Sequence, residues 1–438
     1  MLLPRNAPAW LARLVTWLEP FEADFGHVAQ RGAFRRYLIG LLSDSRRKSM
    51  SAMLERIHDP GSYQAFQHFV THAPWAPERM WRRLRALIPE RCGVVILDGT
   101  SFPKQGTASV GVARQYCGAL GKVANCQVAV TAALWTGVRA WLLGALLYVP
   151  KAWLTPDGRT RGHIPPAVKF QEKWRQALTL LRQIRATGVD VTAVVGDAEF
   201  GDSATLRRTL HRWRLPYALG VSSTVTVFLG TPKLHAPAAL VGQGRPRTRR
   251  VLAPSVRAIG VSAWASRQPL RQWRTVSWRN GTNRPWRARF VATRVTPAHD
   301  WRDRRLAPEV WLLCERGLGV TPRTKYYLVS LPPTTSLKAL VRLAHQRWAI
   351  EQQYEELKDE LGLDHFEGRS YLGWNRHVVL TALAYAWLQQ ERRRAGARAP
   401  TLPVVRAVIQ EILTAHFFIT RRGYLETMLK LKEIELLI

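Results

Sequence analysis

The chain has 438 residues, 47% of them hydrophobic, and carries 65 Lys and Arg against 31 Asp and Glu, a formal charge of +34. That length allows two or three domains, and the hydrophobic content excludes a disordered chain. The cationic excess points to a polyanionic partner, and Arg outnumbering Lys suits bidentate phosphate contacts. The 18 Trp suit core anchors and base-stacking platforms. Cys92, Cys117, Cys126 and Cys314 form no Cys-x-x-Cys pair, so buried reduced thiols are expected. Met1 to Pro8 holds no hydrophobic run of the kind that opens a signal peptide.

Residues 1–90 read as helices. Phe34, Tyr37, Leu38, Leu41 and Leu42 fall at helical spacing, followed by Met50, Met53, Leu54 and Ile57. A third helix is predicted over Pro77–Leu87, with Trp81, Leu84 and Ile88 inward. This segment suits either a domain that grips specific DNA or a helical cap. From Cys92 the pattern changes to strands at 93–97, 127–135 and 139–149. The apolar stretch from Val128 to Val149 is interrupted by Thr136-Gly137 and Arg139, which suits a hairpin better than a membrane span. A helix bearing Phe170, Trp174, Leu178, Leu181 and Ile184 follows, then a strand at 191–196, a helix near 202–213 and a strand from Pro216.

Positions 203–299 contain no Asp or Glu but 18 Lys and Arg. Uncompensated cations of this density repel one another without a polyanion, so this β-patterned stretch is expected to contact DNA, Arg245, Arg247, Arg249 and Arg250 included. A strand over Lys325–Leu331 returns to the core. A helix is expected to start near Thr335-Ser336, and a mainly helical end buries Val378, Leu380, Leu383, Ala384 and Trp387.

Three carboxylates stand out. Asp98 closes Gly93-Val94-Val95-Ile96-Leu97, Asp197 closes a second apolar run from Val191, and Glu351 lies on the late helix. Ligands collect at the carboxyl ends of parallel strands, and two Asp with a helical Glu suit two Mg²⁺ ions about 4 Å apart. Singly each has a plainer explanation: a turn Asp, or a Glu paired with Arg347 one helical turn earlier. Arg347, Glu351 and Lys358 are spaced to share one helix face.

At these residues the chain resembles bacterial insertion-sequence transposases of the DDE class, most of all the insertion sequence seven-zero-one family, in the branch with a β-rich insertion before the catalytic Glu. The matching blocks are Leu97-Asp98-Gly99-Thr100-Ser101-Phe102-Pro103-Lys104-Gln105-Gly106, then Ser109 to Gly118 and Gly121 to Gln127. Gly196 to Asp202, Arg347-Trp348-Ala349-Ile350-Glu351, Lys358 and Gly362-Leu363-Asp364 also match.

The resemblance implies an α/β fold. A ribonuclease-H-like core would fill 91–225 and 321–395, with a basic β-rich insertion at 226–320, a helical N-terminal DNA-binding domain at 1–90 and a tail at 396–438. It implies a catalytic, metal-binding triad of Asp98, Asp197 and Glu351, with Arg347 and Lys358 matching the Arg and Lys of the family's Tyr-Arg-Glu-Lys signature. The signature Tyr is replaced by Ala344, with His345 and Tyr354 as candidate substitutes. Lys104, Arg114 and Lys122 are candidate phosphate contacts.

The implied activity is cleavage at the ends of an insertion sequence and joining of the 3′-OH ends to target DNA, without a covalent protein–DNA intermediate. It would use two Mg²⁺, with Mn²⁺ as a substitute. The implied partner is double-stranded DNA, bound by a homodimer in the synaptic complex, in the bacterial cytoplasm at the nucleoid and with no membrane. The alternatives are an inactive DNA-binding regulator and a host endonuclease of the same fold.

Overall fold

The computed structural model describes residues 9–420 except 58, 236–250, 281–284, 299–305, 320 and 397–398, together with 423 and 426. Five helices come first: α1 Ala9–Glu22, α2 Val28–Leu42, α3 Met50–Leu54, α4 Tyr63–Thr71 and α5 Pro77–Leu87. Ser49 and Ser62 cap α3 and α4 by accepting backbone N–H bonds. The predicted inward residues Phe34, Tyr37, Leu38, Leu41, Leu42, Met53, Ile57, Trp81, Leu84 and Ile88 are all buried, while Met50 and Leu54 are half-buried.

The strands then run β1 Cys92–Pro103, β2 Ala113–Cys117, β3 Lys122–Trp135 and β4 Ala140–Leu147. After the helices α6 Pro156–Gly162 and α7 Lys173–Arg185 come β5 Asp190–Gly196, α8 Ala198–Gly201, α9 Ala204–Arg212 and β6 Tyr217–Val221. The stretch read as one long apolar hairpin is β3 and β4, turning at Gly137 with φ +92°. None of the described helices is long and apolar enough to cross a membrane.

Around β1 the strand order is β4–β3–β1–β5–β6. β1 is antiparallel to β3 and parallel to β5, and β5 is parallel to β6. This is the ribonuclease-H-like arrangement that the sequence order predicts, a mixed α/β fold with helices flanking the sheet. One difference concerns β1, which continues five residues past Asp98 to Pro103. Polar Thr100 and Ser101 hide the continuation in the sequence, but both are buried against β3, where they pair with Ala129 and Val128.

The acid-poor stretch adds β7 Thr226–Leu229, β8 Leu234–His235, β9 Val251–Leu252, β10 Ile259–Gly260, helix α10 Val261–Ser266, β11 Arg274–Asn280, β12 Pro285–Pro297 and β13 Val310–Arg316. β14 Thr324–Val329 joins them to the core, because it lies between β6 and β13. The basic region therefore prolongs the central sheet; among the described residues, β8 and β9 pair apart from it. Arg245, Arg247, Arg249 and Arg250 lie outside the described residues.

The chain then forms α11 Leu337–Ala344, α12 Trp348–Glu355, α13 Tyr371–Arg394 and α14 Leu402–Thr420. α13 buries Val378, Leu380, Leu383, Ala384 and Trp387 as predicted. It also clamps the first helices: buried Arg376 donates to the carbonyls of Val70 and Trp75. His377 meets Tyr37 Oη at 2.8 Å and the Gly362 carbonyl at 3.0 Å. One apolar core runs from Leu11 through the sheet to α13, so α1–α5 cap the same body. Of the four thiols three are buried, but Cys92 is exposed at the start of β1 and donates to Asp190.

Candidate active site

Leu97 pairs with Gly196 in the parallel register of β1 and β5. Asp98 follows Leu97 within β1 and Asp197 follows Gly196 just past the end of β5, so the two carboxylates come from neighbouring positions. Asp98 lies within its strand, opposite Thr131 of β3, and its side chain is only 9% exposed. Asp197 follows β5 and caps α8, its Oδ1 accepting the Glu199 N–H at 3.0 Å. The turn is held tightly. Gly201 lies so close to the Gly220 carbonyl of β6 that a Cβ there would collide with backbone.

Glu351 arrives from a helix that is not continuous. Ser336 caps α11, a 3₁₀ turn covers His345–Arg347, and α12 gives way to a π turn over Glu356–Glu360. Arg347 joins the strands to the helix. Its Nη1 lies 3.2 Å from Asp98 Oδ1 and its Nη2 lies 2.6 Å from Glu351 Oε1. The helix pairing of Arg347 with Glu351 thus exists, and the same guanidinium also reaches Asp98. Glu351 itself is 59% exposed.

Burial pushes the Asp98 carboxyl up to about 7; Arg347 opposes this, while the negative charges of Asp197 and Glu351 add to it. Burial also lowers the Arg347 guanidinium, but Asp98, Glu351 and Asp197 outweigh it and leave it raised. One guanidinium stands against three carboxylates here, an imbalance that favours a further cation. The donors are carboxylate oxygens alone, the chemistry of a hard ion such as Mg²⁺. Among the described residues no three His, Cys, Asp or Glu side chains close around one point; Arg347 stands between Asp98 and Glu351.

The remaining predicted site residues divide. Lys358 falls in the π turn, where an extra residue per turn takes it off a regular helix face. Its ammonium donates to the Ser101 carbonyl at 3.1 Å and lies over the Phe102 ring. Lys104 donates to the Phe366 carbonyl at 2.8 Å, and burial lowers its ammonium despite Asp364 and Glu367. Both tie β1 to the segment after α12. Arg114 and Lys122 are exposed on the β2–β3 pair.

Of the candidates for the missing signature Tyr, Tyr354 is buried and its hydroxyl lies 2.5 Å from Thr131 Oγ1, across from Asp98. His345 stacks on Trp278 with ring centroids 3.9 Å apart, and its Nε2 lies 3.3 Å from Glu315 Oε2. Tyr327 donates to the same carboxylate at 2.9 Å.

Asp197, Glu351 and Arg347 open onto a cleft of about 1030 Å³, whose far wall includes Trp278, Arg279, Trp286 and Arg287 of β11 and β12. Arg279 stacks over the Trp348 ring at 3.4 Å. The cationic, β-patterned character of this wall is visible in the sequence, but these individual side chains are not marked out there. Glu315 and Tyr327 carried no signal, because strand alternation alone does not tell which face meets a distant helix.

A family profile described as "DDE superfamily endonuclease" matches residues 20–285. The chain is 27% identical over 241 residues to "Probable transposase for insertion sequence element IS701" of Microchaete diplosiphon. That match covers 54% of this chain and 60% of the relative, so the chain spans less than two thirds of that protein's length. Its structure is similar to a cryo-EM structure of piggyBac transposase in a synaptic complex with hairpin DNA, with 10% identity and a TM-score of 0.41 over 95% of this chain and 79% of the other. With a profile match across more than half its length, the chain belongs to the DDE superfamily of endonucleases.

Proposed function

We propose that the protein is a transposase that binds the ends of its own insertion sequence, cleaves them by metal-dependent hydrolysis and joins the 3′-OH ends to target DNA. The observation that carries this reading is that Asp98 and Asp197 directly follow Leu97 and Gly196, the last paired residues of neighbouring parallel strands, with Arg347 linking Asp98 to Glu351. The similarity to an insertion-sequence transposase supports it. The partner is double-stranded DNA, both element end and target, bound by a homodimer in the synaptic complex.

Asp98, Asp197 and Glu351 would hold two Mg²⁺, or Mn²⁺ in their place. Bound there, the ions supply activation of water or of a 3′-OH and neutralise charge on the phosphate. The chain's own groups do the rest. Arg347 places a delocalised positive charge beside the carboxylates, in the geometry that also suits a phosphate. Tyr354 and Thr131 fix the strand pair that carries Asp98. Arg279, Arg287 and the tryptophans of the cleft wall offer cations and stacking faces to the DNA.

Incubating the protein with Mg²⁺, labelled duplexes of the DNA flanking its gene and a circular target tests this reading. Nicking at the ends followed by joined products is expected. Nicking without joining would instead favour a host endonuclease of the same fold, and binding without nicking an inactive regulator.

A further inference from the structure

The β2–β3 pair ends in a turn that the chemistry above does not use. In register, Arg114 faces Asn125 and Tyr116 faces Val123. Alternate residues share a face, so these four side chains form one surface of a two-stranded ribbon. Its centre is apolar and open to solvent. Tyr116 is 66% exposed, Val123 54%, and Leu120 in the connecting turn 48%. Their neighbours Cys117 and Cys126 are buried.

The turn is anchored. Ala119 donates its backbone N–H to Ser101 Oγ at 3.0 Å, and Cys117 Sγ lies 3.4 Å from the same oxygen. Gly121, at φ +63°, takes the left-handed conformation that closes the 3₁₀ turn. Ser101 follows Asp98 by three residues on β1, about 10 Å along the strand. A rigid apolar knuckle is therefore tied to the strand that carries Asp98.

Its surroundings are cationic. Arg114 and Lys122 are exposed on the ribbon, and no Asp or Glu occurs between positions 99 and 156. Glu199, which approaches Gly99, is paired with Lys173 at 2.5 Å. An apolar centre with cationic flanks complements a polyanion with an apolar interior, as a stacked duplex is.

Resting on the reading that the neighbouring carboxylates act on duplex DNA, we propose that Tyr116, Leu120 and Val123 form a wedge. It enters the duplex beside the scissile phosphate and unstacks a base step, while Arg114 and Lys122 hold the flanking phosphates. Apolar side chains inserted at a base step kink DNA at the cost of stacking, and the added protein contact compensates.

The test compares binding to two duplexes of roughly 30 base pairs, one fully paired and one with a central two-nucleotide mismatch, for which unstacking is already paid. The wild type is expected to bind the mismatched duplex about tenfold more tightly and to raise permanganate reactivity of thymines in the paired one. Tyr116→Ser/Leu120→Ser/Val123→Ser loses both effects, and because all three side chains are exposed its melting temperature stays at the wild-type value. Arg114→Ala/Lys122→Ala weakens binding to both duplexes yet keeps the preference. Equal binding of the two duplexes by the wild type, or an unaltered preference in the triple variant, overturns the wedge. So does a triple variant that changes only the sedimentation mass, which would make the face a contact between copies. Failure of the wild type to bind any duplex defeats the DNA reading itself, a different result from binding without unstacking.

Discussion

Arg347 Nη1 lies 3.2 Å from Asp98 Oδ1 across 249 residues of sequence, while its Nη2 holds Glu351 on its own helix. One planar guanidinium thus connects the centre of the sheet to the last of the three carboxylates, and two kinds of substitution separate their roles.

Removing a carboxylate charge should abolish chemistry and spare binding. Asp98→Asn, Asp197→Asn and Glu351→Gln are each expected to lower Mg²⁺-dependent cleavage by well over about 100-fold, more than the loss of an outer partner of a metal site costs. Affinity for duplex DNA, read by gel shift, stays the same or rises, because negative charge near phosphate is gone. Arg347→Lys retains the charge but a single ammonium cannot bridge both carboxylates, so cleavage falls by about 10- to 100-fold. Near-wild-type cleavage by any carboxylate variant would remove that residue from the site.

Asp98 also leaves a mark on stability. Its carboxyl is raised from 3.8 to about 7, so the folded state holds a proton that the unfolded chain has lost. That contribution is complete below about pH 4 and disappears as pH rises to about 7. In EDTA, Asp98→Asn is therefore expected to be more stable than the wild type at pH 8, by at most about 4 kcal/mol, with the difference shrinking toward pH 4. A pH-independent difference in melting temperature would contradict this.

His377 has the opposite sign. Tyr37 Oη donates to its Nδ1, its Nε2 donates to the Gly362 carbonyl, and burial pushes the ring down to about 4. The stability it contributes is complete above about pH 6.5 and is lost as pH falls toward 4, amounting to about 3 kcal/mol. His377→Gln should be less stable at neutral pH yet lose less between pH 7 and 4.5. Parallel wild-type and variant profiles would show that the ring does not titrate this way.

The basic stretch is testable through salt. Replacing Arg245, Arg247, Arg249 and Arg250 together by Ala should flatten the slope of log K against log salt by up to about 3.6, at roughly 0.9 per neutralised phosphate. Affinity for all sequences should fall alike. An unchanged slope would place the DNA path elsewhere.

The parts of this molecule legible in the sequence are those with local patterning. Runs such as Val94-Val95-Ile96-Leu97 and the α2 face of Phe34, Tyr37, Leu38 and Leu41 announce buried strands and helices, and all are buried. The continuation of β1 through Thr100 and Ser101 was not legible, because its register is set by β3 and not by its own apolarity. Spacing placed Arg347 and Glu351 together on one turn. It did not show that Lys358 lies in a π turn, since nothing in Glu356-Leu357-Lys358-Asp359-Glu360 signals one. Nor does local pattern reveal that Trp278, Glu315, Tyr327 and His345 meet, because four separate segments supply them.

The position of β14 between β6 and β13 has a consequence for how the protein is made. Asp98 and Asp197 are synthesised early on adjoining strands, but Glu351 follows the strand that closes the gap in the sheet. Pairings between distant segments form late, because loop closure must be met before they are rewarded. A nascent chain that has not yet reached α12 has two of the carboxylates and no Arg347. Under the proposed function, any product interrupted before that point would keep the basic stretch without the full carboxylate set, and would compete with the finished chain for DNA.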